Sequence, residues 1–126
     1  MNDIRIIDTH CNIDFNELKT RLDDVIKDAK INNVTDMVTI STNLSRIDII
    51  KDISEQYQEV FFTVGVHPNE AHKDKQYDDH YFIENYSNHE KCVGIGEGGL
   101  DYYYNKDNMK FQKRSLEVQI NVARST

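Results

Sequence analysis

Three short stretches of this chain each end an apolar run on residues able to hold a divalent ion or move a proton. The first is Ile6-Ile7-Asp8-Thr9-His10-Cys11-Asn12-Ile13-Asp14, and the second is Phe62-Thr63-Val64-Gly65-Val66-His67-Pro68-Asn69. The third, Gly94-Ile95-Gly96-Glu97-Gly98-Gly99-Leu100-Asp101-Tyr102-Tyr103, sets one glutamate among four glycines. A carboxylate in that setting is placed for chemistry, most naturally at a metal. All three have the form expected of parallel strands that deliver polar groups to one rim of a barrel.

The elements that must position these residues follow from periodicity. Runs rich in Ile, Val, Phe and Thr predict strands over 4–8, 34–40, 60–66 and 91–96. Between them Leu18, Leu22, Val25, Ile26 and Ala29 recur at helical spacing, as do Ile47, Ile50, Ile53 and Tyr57. Ser45, with Asp48 three residues on, reads as a capping box for the second of these helices. A more polar third helix is expected around Tyr77–Ser87 and a fourth from about Asp107, with Phe111, Ser115, Val118 and Val122 on one face. The order βαβαβαβα is that of an α/β protein with a parallel sheet. Strand alternation then places Ile6, Asp8 and His10 on one face, with Val93, Ile95 and Glu97 on the same face of the fourth strand, and leaves Gly94 and Gly96 towards the helices. Pro68 biases His67 to an extended backbone just past its strand. Asn69–Tyr77, which includes His72, reads as a solvated loop, and His80 and His89 fall in polar helical segments without a geometric signal. Gly94, Gly96 and Gly99 formally satisfy a dinucleotide-loop pattern, but Glu97 inside it would repel a pyrophosphate and Leu100–Tyr104 separates it from the next helix.

In this order the motifs resemble the TatD family of metal-dependent deoxyribonucleases, which are TIM-barrel hydrolases. The family pattern D-[ST]-H-C-H-x-D is met by Asp8-Thr9-His10-Cys11-Asn12-Ile13-Asp14, G-[VI]-H-P-H by Gly65-Val66-His67-Pro68-Asn69, and G-E-x-G-L-D-Y-Y by Gly96 to Tyr103. A following helix motif is matched at Gln112, Leu116, Gln119 and Ala123, so the resemblance covers residues 4–126. It implies DNA phosphodiester hydrolysis by two divalent ions, magnesium, manganese or zinc. Glu97 would bridge them, which suits a carboxylate because it has two oxygens, and His10 would be a ligand. His67 would stand near the phosphate or attacking water, and Asp101 would lie behind the ligands. Asn12 occupies a histidine position of the H-x-H pair, where an amide oxygen is a weaker and harder donor than imidazole. Asn69 likewise stands where the family usually has histidine.

Length and composition shape the expectation further. Eight βα units normally need about 250 residues, so 126 residues predict an incomplete TIM-type barrel of four units. Residues 1–126 read as the N-terminal half of a hydrolase domain, cut within the fourth helix. The family's other ligands belong to the later strands, so the lone chain is expected to bind metal weakly and to lack turnover. Two alternatives are an active hydrolase completed by a separately encoded C-terminal half, and a non-catalytic binding or oligomerisation module. Inward apolar side chains such as Ile4, Ile6, Phe61, Val93 and Ile95, each worth about 1.5–3 kcal/mol if fully buried, together with two open sheet edges, favour a homo-oligomer or a complementary half as partner. The net charge of −7 gives no general attraction to DNA, so any contact would be local and metal-assisted. Cys11 and Cys92 form no CxxC pair and read as reduced. No apolar run approaches membrane-spanning length and the N-terminus has no leader pattern, so the expected location is cytoplasmic.

Overall fold

Four short β-rich runs separated by helices can pair only through crossovers, and that is the arrangement in the computed structural model, which describes residues 4–73, 79–104 and 106–126. Strands β1 (Ile6–Cys11), β2 (Val34–Thr39), β3 (Val60–Val64) and β4 (Cys92–Ile95) form one parallel sheet in sequence order. Helices α1 (Asn16–Lys19) and α2 (Leu22–Ile31) link β1 to β2, and α3 (Ile47–Gln56) links β2 to β3. Helix α4 (Asp79–Ser87) links β3 to β4, and α5 (Met109–Ser125) follows β4. This is the four-unit α/β architecture expected of a half-barrel. The expected residue Tyr77 and the end of the loop leading to it lie outside the described residues.

The core sits between the sheet and its helices. Alternation in β3 buries Val60, Phe62 and Val64 on one face, all with no exposed surface. Against Phe62 and Val64 pack Ile47 and Ile50 of α3, Ile83 of α4 and Val122 of α5. A second cluster joins Ile13, Ile26, Met37, Ile53 and Val60 beneath β1 and β2. The other face of the sheet is open, as Ile6 and Val93 remain 45% and 56% exposed.

Several local expectations change. The Ser45/Asp48 capping box does not form. Leu44–Arg46 is a 3-10 turn whose Ser45 hydroxyl donates to Asn43, while Asp48 accepts from the Tyr86 hydroxyl. A register irregularity between Phe62 and Thr63 in the β3–β4 pairing breaks strict alternation, and Ile95 packs partly against the helix-side core instead of facing inward. The first strand lies later than expected and contains His10. His89 lies past the end of α4, where its ring meets Phe62 in a tilted contact at 5.4 Å and its Nε2 meets Glu55 at 3.0 Å. The start of the Asn69–Tyr77 loop is not merely surface: Ala71 is buried in the core and His72 Nδ1 pairs with Asn108 Nδ2 at 3.0 Å.

Candidate metal centre

The main chain of Glu97 is fixed before its side chain is considered. Gly96 N–H donates to the Val64 carbonyl at 2.9 Å, extending β3–β4 pairing beyond the strand. Glu97 N–H then reaches across to the Ser41 carbonyl past the end of β2 at 3.1 Å. Side chains complete the crossing, with Thr63 Oγ1 donating to the Gly96 carbonyl at 2.7 Å and the buried Ser41 hydroxyl to the Gly65 carbonyl at 2.8 Å. Three strand ends are thereby tied around one carboxylate.

That carboxylate lies between two imidazoles. Its Oε2 is 3.3 Å from His10 Nε2 and its Oε1 is 3.8 Å from His67 Nε2. Asn69 N–H donates to His67 Nδ1 at 3.1 Å, so the neutral ring carries its proton on Nε2, the nitrogen turned to Glu97. His67 is therefore set to donate a hydrogen bond through Nε2, not to ligate through it. Asp8 does not join the group, because its carboxylate accepts the His10 backbone N–H at 3.1 Å.

Asn12, His67, Asn69 and Glu97 line one open cleft of about 620 Å³. Asn12 Oδ1 is buried with no hydrogen-bond partner. Asp101 lies next to Asn69. One of its oxygens accepts from Asn69 Nδ2 at 3.0 Å and the other from Tyr103 N–H at 3.0 Å. Asn69 thus bridges His67 to Asp101 and has a holding role of its own.

Some participants carry no strand-end signal. Arg46, whose guanidinium pairs with the buried Asp14 carboxylate at 2.7 Å, lines the cleft together with Phe15, Thr42 and Asn43. Gln112 and Gln119 of α5 are buried at 0% and 3% exposure. Gln112 accepts from Asp101 N–H at 2.7 Å and donates to its carbonyl at 2.8 Å, and Gln119 does the same for Val66, the residue before His67. Cys11, beside His10, turns away: its thiol donates to the Val38 carbonyl at 3.3 Å, and burial, aided by the Asp8 charge, pushes it up to about 12.

A family model described as TatD related DNase matches residues 7–126. The chain belongs to the TatD family. It is 34% identical to the uncharacterized metal-dependent hydrolase BU355 of Buchnera aphidicola subsp. Acyrthosiphon pisum, over 94% of this chain and 48% of that protein. It is 33% identical to the uncharacterized metal-dependent hydrolase YabD of Bacillus subtilis, over 94% and 46% of the two chains. The 3'-5' ssDNA/RNA exonuclease TatD of Shigella flexneri is 27% identical over 94% and 45%. The chain spans about half the length of these curated TatD relatives. The crystal structure of YjjV, a TatD homologue from Escherichia coli K12, superposes with a TM-score of 0.86 at 24% identity, covering 98% of this chain and 48% of that one. That likeness establishes the half of a TIM-type barrel as the fold.

The donors present fit part of a TatD-type metal site. Ligands held about 2.0–2.2 Å from a tetrahedral ion lie about 3.3–3.6 Å apart, and His10 Nε2 and Glu97 Oε2 are separated by 3.3 Å. Asn12, whose buried and unpartnered Oδ1 is a hard oxygen, lines the same cleft as Glu97. Among the described residues, however, no group of three His, Cys, Asp or Glu could hold an ion. No helix among them is long and apolar enough to cross a membrane.

Proposed function

We propose that this chain contributes Glu97, His10 and His67 to a divalent-ion centre that hydrolyses phosphodiester bonds in DNA. The observation that carries this reading is the placement of one carboxylate with each oxygen facing a different imidazole, at 3.3 and 3.8 Å. His10 and Glu97 would hold the metal, with Asn12 Oδ1 as a weak third donor. Bound ions of this kind polarise the phosphoryl group and lower the pKa of bound water towards neutrality. His67, protonated on Nε2, donates to a phosphate oxygen or to the departing alkoxide, and the Asn69 N–H on its Nδ1 keeps the ring turned to that task. Asp101 and Gln112 keep Asn69 and its loop in register.

Three protein ligands are the ordinary minimum for a catalytic zinc-type ion, and one imidazole with one carboxylate falls short of it. On this reading the 126 residues alone bind ions weakly, and turnover needs further donors from another polypeptide segment. The open inner face, with Ile6 and Val93 exposed, and the edge strands β1 and β4 would receive that segment or a second copy.

The test is a nuclease assay on single- and double-stranded DNA with magnesium, manganese, cobalt or zinc. The chain is assayed alone and mixed with a separately produced second half of a TatD relative. The expected result is no turnover alone and metal-dependent turnover in the mixture, abolished by Glu97→Ala. Turnover that survives Glu97→Ala would overturn the assignment of the centre. Turnover by the chain alone would overturn the ligand-count argument.

A further inference from the structure

An acidic chain that handles a polyanion must hold it with local cations, since a net charge of −7 repels phosphates at a distance. Among the described residues lining the cleft, Arg46 is the one Lys or Arg, set among Glu17, Glu70 and Glu97. Its side chain is 28% exposed, whereas the Asp14 carboxylate behind it is 1% exposed. Arg46 Nε donates to Asp14 Oδ2 at 2.7 Å, Nη2 donates to the Asp14 carbonyl, and the guanidinium lies 5.5 Å from the Phe15 ring centroid. Two donors and one face are thus committed to the protein, which fixes the guanidinium plane, while Nη1 makes no hydrogen bond among the described residues. A planar donor held in this way loses little freedom when it meets an anion.

We propose that Arg46 anchors a non-scissile phosphate of a single-stranded nucleic acid whose reacting phosphate lies at Glu97. Thr42 and Asn43, which line the same wall, supply neutral polar groups beside it. This inference rests on the phosphodiesterase reading of the centre and adds to it a preference for an oligonucleotide over a mononucleotide or free phosphate. An ion pair that only braced the turn after β1 would not need to stand on the cleft wall. Arg46 is a binding residue in this scheme and has no part in bond cleavage.

The probe is a fluorescein-labelled octathymidylate, titrated into the full chain with calcium at several salt concentrations. Arg46→Met combined with Asp14→Asn removes both charges, so no buried carboxylate is left unpaired. Arg46→Lys keeps the pair and the charge but not the fork. The expected result is about five- to tenfold weaker binding for the double variant, in the range of one lost phosphate contact. Its plot of log K against log salt should be shallower by about 0.7, the share of one single-strand phosphate. Arg46→Lys should keep the wild-type slope and lose affinity, and inorganic phosphate should compete poorly. Wild-type slope and affinity in the double variant, with native melting retained, would overturn the proposal while leaving the Glu97 centre intact. Absence of any binding by the wild-type chain would likewise overturn the Arg46 proposal alone, because the Glu97 centre is judged by turnover in the mixture with a second half.

Discussion

The side-chain amide of Gln119 takes both main-chain hydrogen bonds of Val66, accepting from its N–H at 3.2 Å and donating to its carbonyl at 3.1 Å. A residue of α5 thereby acts as a strand neighbour just where the β3 run leads into His67. Gln119→Ala leaves two buried backbone groups unpaired, each worth about 1–3 kcal/mol. The expected loss is about 2–4 kcal/mol, read as a lower urea midpoint with an unchanged denaturant slope.

Two glycines of the strand-end motifs should respond differently to alanine. A Cβ on Gly65 would lie 2.5 Å from Gln119 Oε1 and 2.6 Å from the Gly96 carbonyl carbon, and the second of these is backbone that cannot swing aside. Gly65→Ala should cost about 1–3 kcal/mol or more. A Cβ on Gly99 meets nothing within 4 Å, so Gly99→Ala should change the thermal midpoint by no more than about 0.5 kcal/mol implies.

Asn12→His should tighten divalent-ion binding by about tenfold or more, because it puts a third strong donor on the cleft lined by Glu97, whose Oε2 stands 3.3 Å from His10 Nε2. Calorimetric titration with zinc or manganese checks this. Glu97→Gln in the same background should remove the gain, and a gain that persisted would mean that the ion binds elsewhere.

Both cysteines should alkylate slowly in the folded state. Burial, with the Asp8 charge second, raises Cys11 from 9.0 to about 12, and burial raises Cys92 as well. A raised thiol pKa means less thiolate at a given pH, so the native rate for Cys11 at pH 8 should be about a thousandfold below that of the unfolded chain. The gap should narrow as pH climbs towards 12. Stability from this thiol is present below pH 9 and is lost as pH rises from there through 12. Iodoacetamide labelling followed by mass spectrometry, with and without urea, measures both rates.

The legible parts of the molecule were those governed by short periods. Alternation in Val60–Val64 and helical spacing in Ile47, Ile50 and Ile53 located β3 and α3 to within a residue or two. The strand-end motifs marked His10, His67 and Glu97, and the structure brings these three together. The Arg46–Asp14 pair was not legible, since its partners are 32 residues apart and Arg46 lies outside any strand-end motif. The inner face of α5 was legible by periodicity only in part, since the expected stripe held the buried Ser115 and Val122 but not the equally buried Gln112 and Gln119, which the helix motif alone had marked. Hydrophobic periodicity overlooks a buried amide, because what makes it tolerable is a partner on a distant loop. The shift in Ile95 came from a register irregularity, which a strict alternation of two cannot foresee.

The paired amides of α5 have a consequence for the time course of the centre. Gln112 holds the Asp101 main chain and Gln119 holds the Val66 main chain, so one helix latches the two loops that carry His67 and follow Glu97. When α5 lifts from the sheet, both latches open together. The amide protons of Val66 and Asp101 should then trade with solvent at the pace of the helix itself, as members of one cooperative unit. Until the polypeptide has been synthesised through residue 119, the latch on the loop that carries His67 is missing.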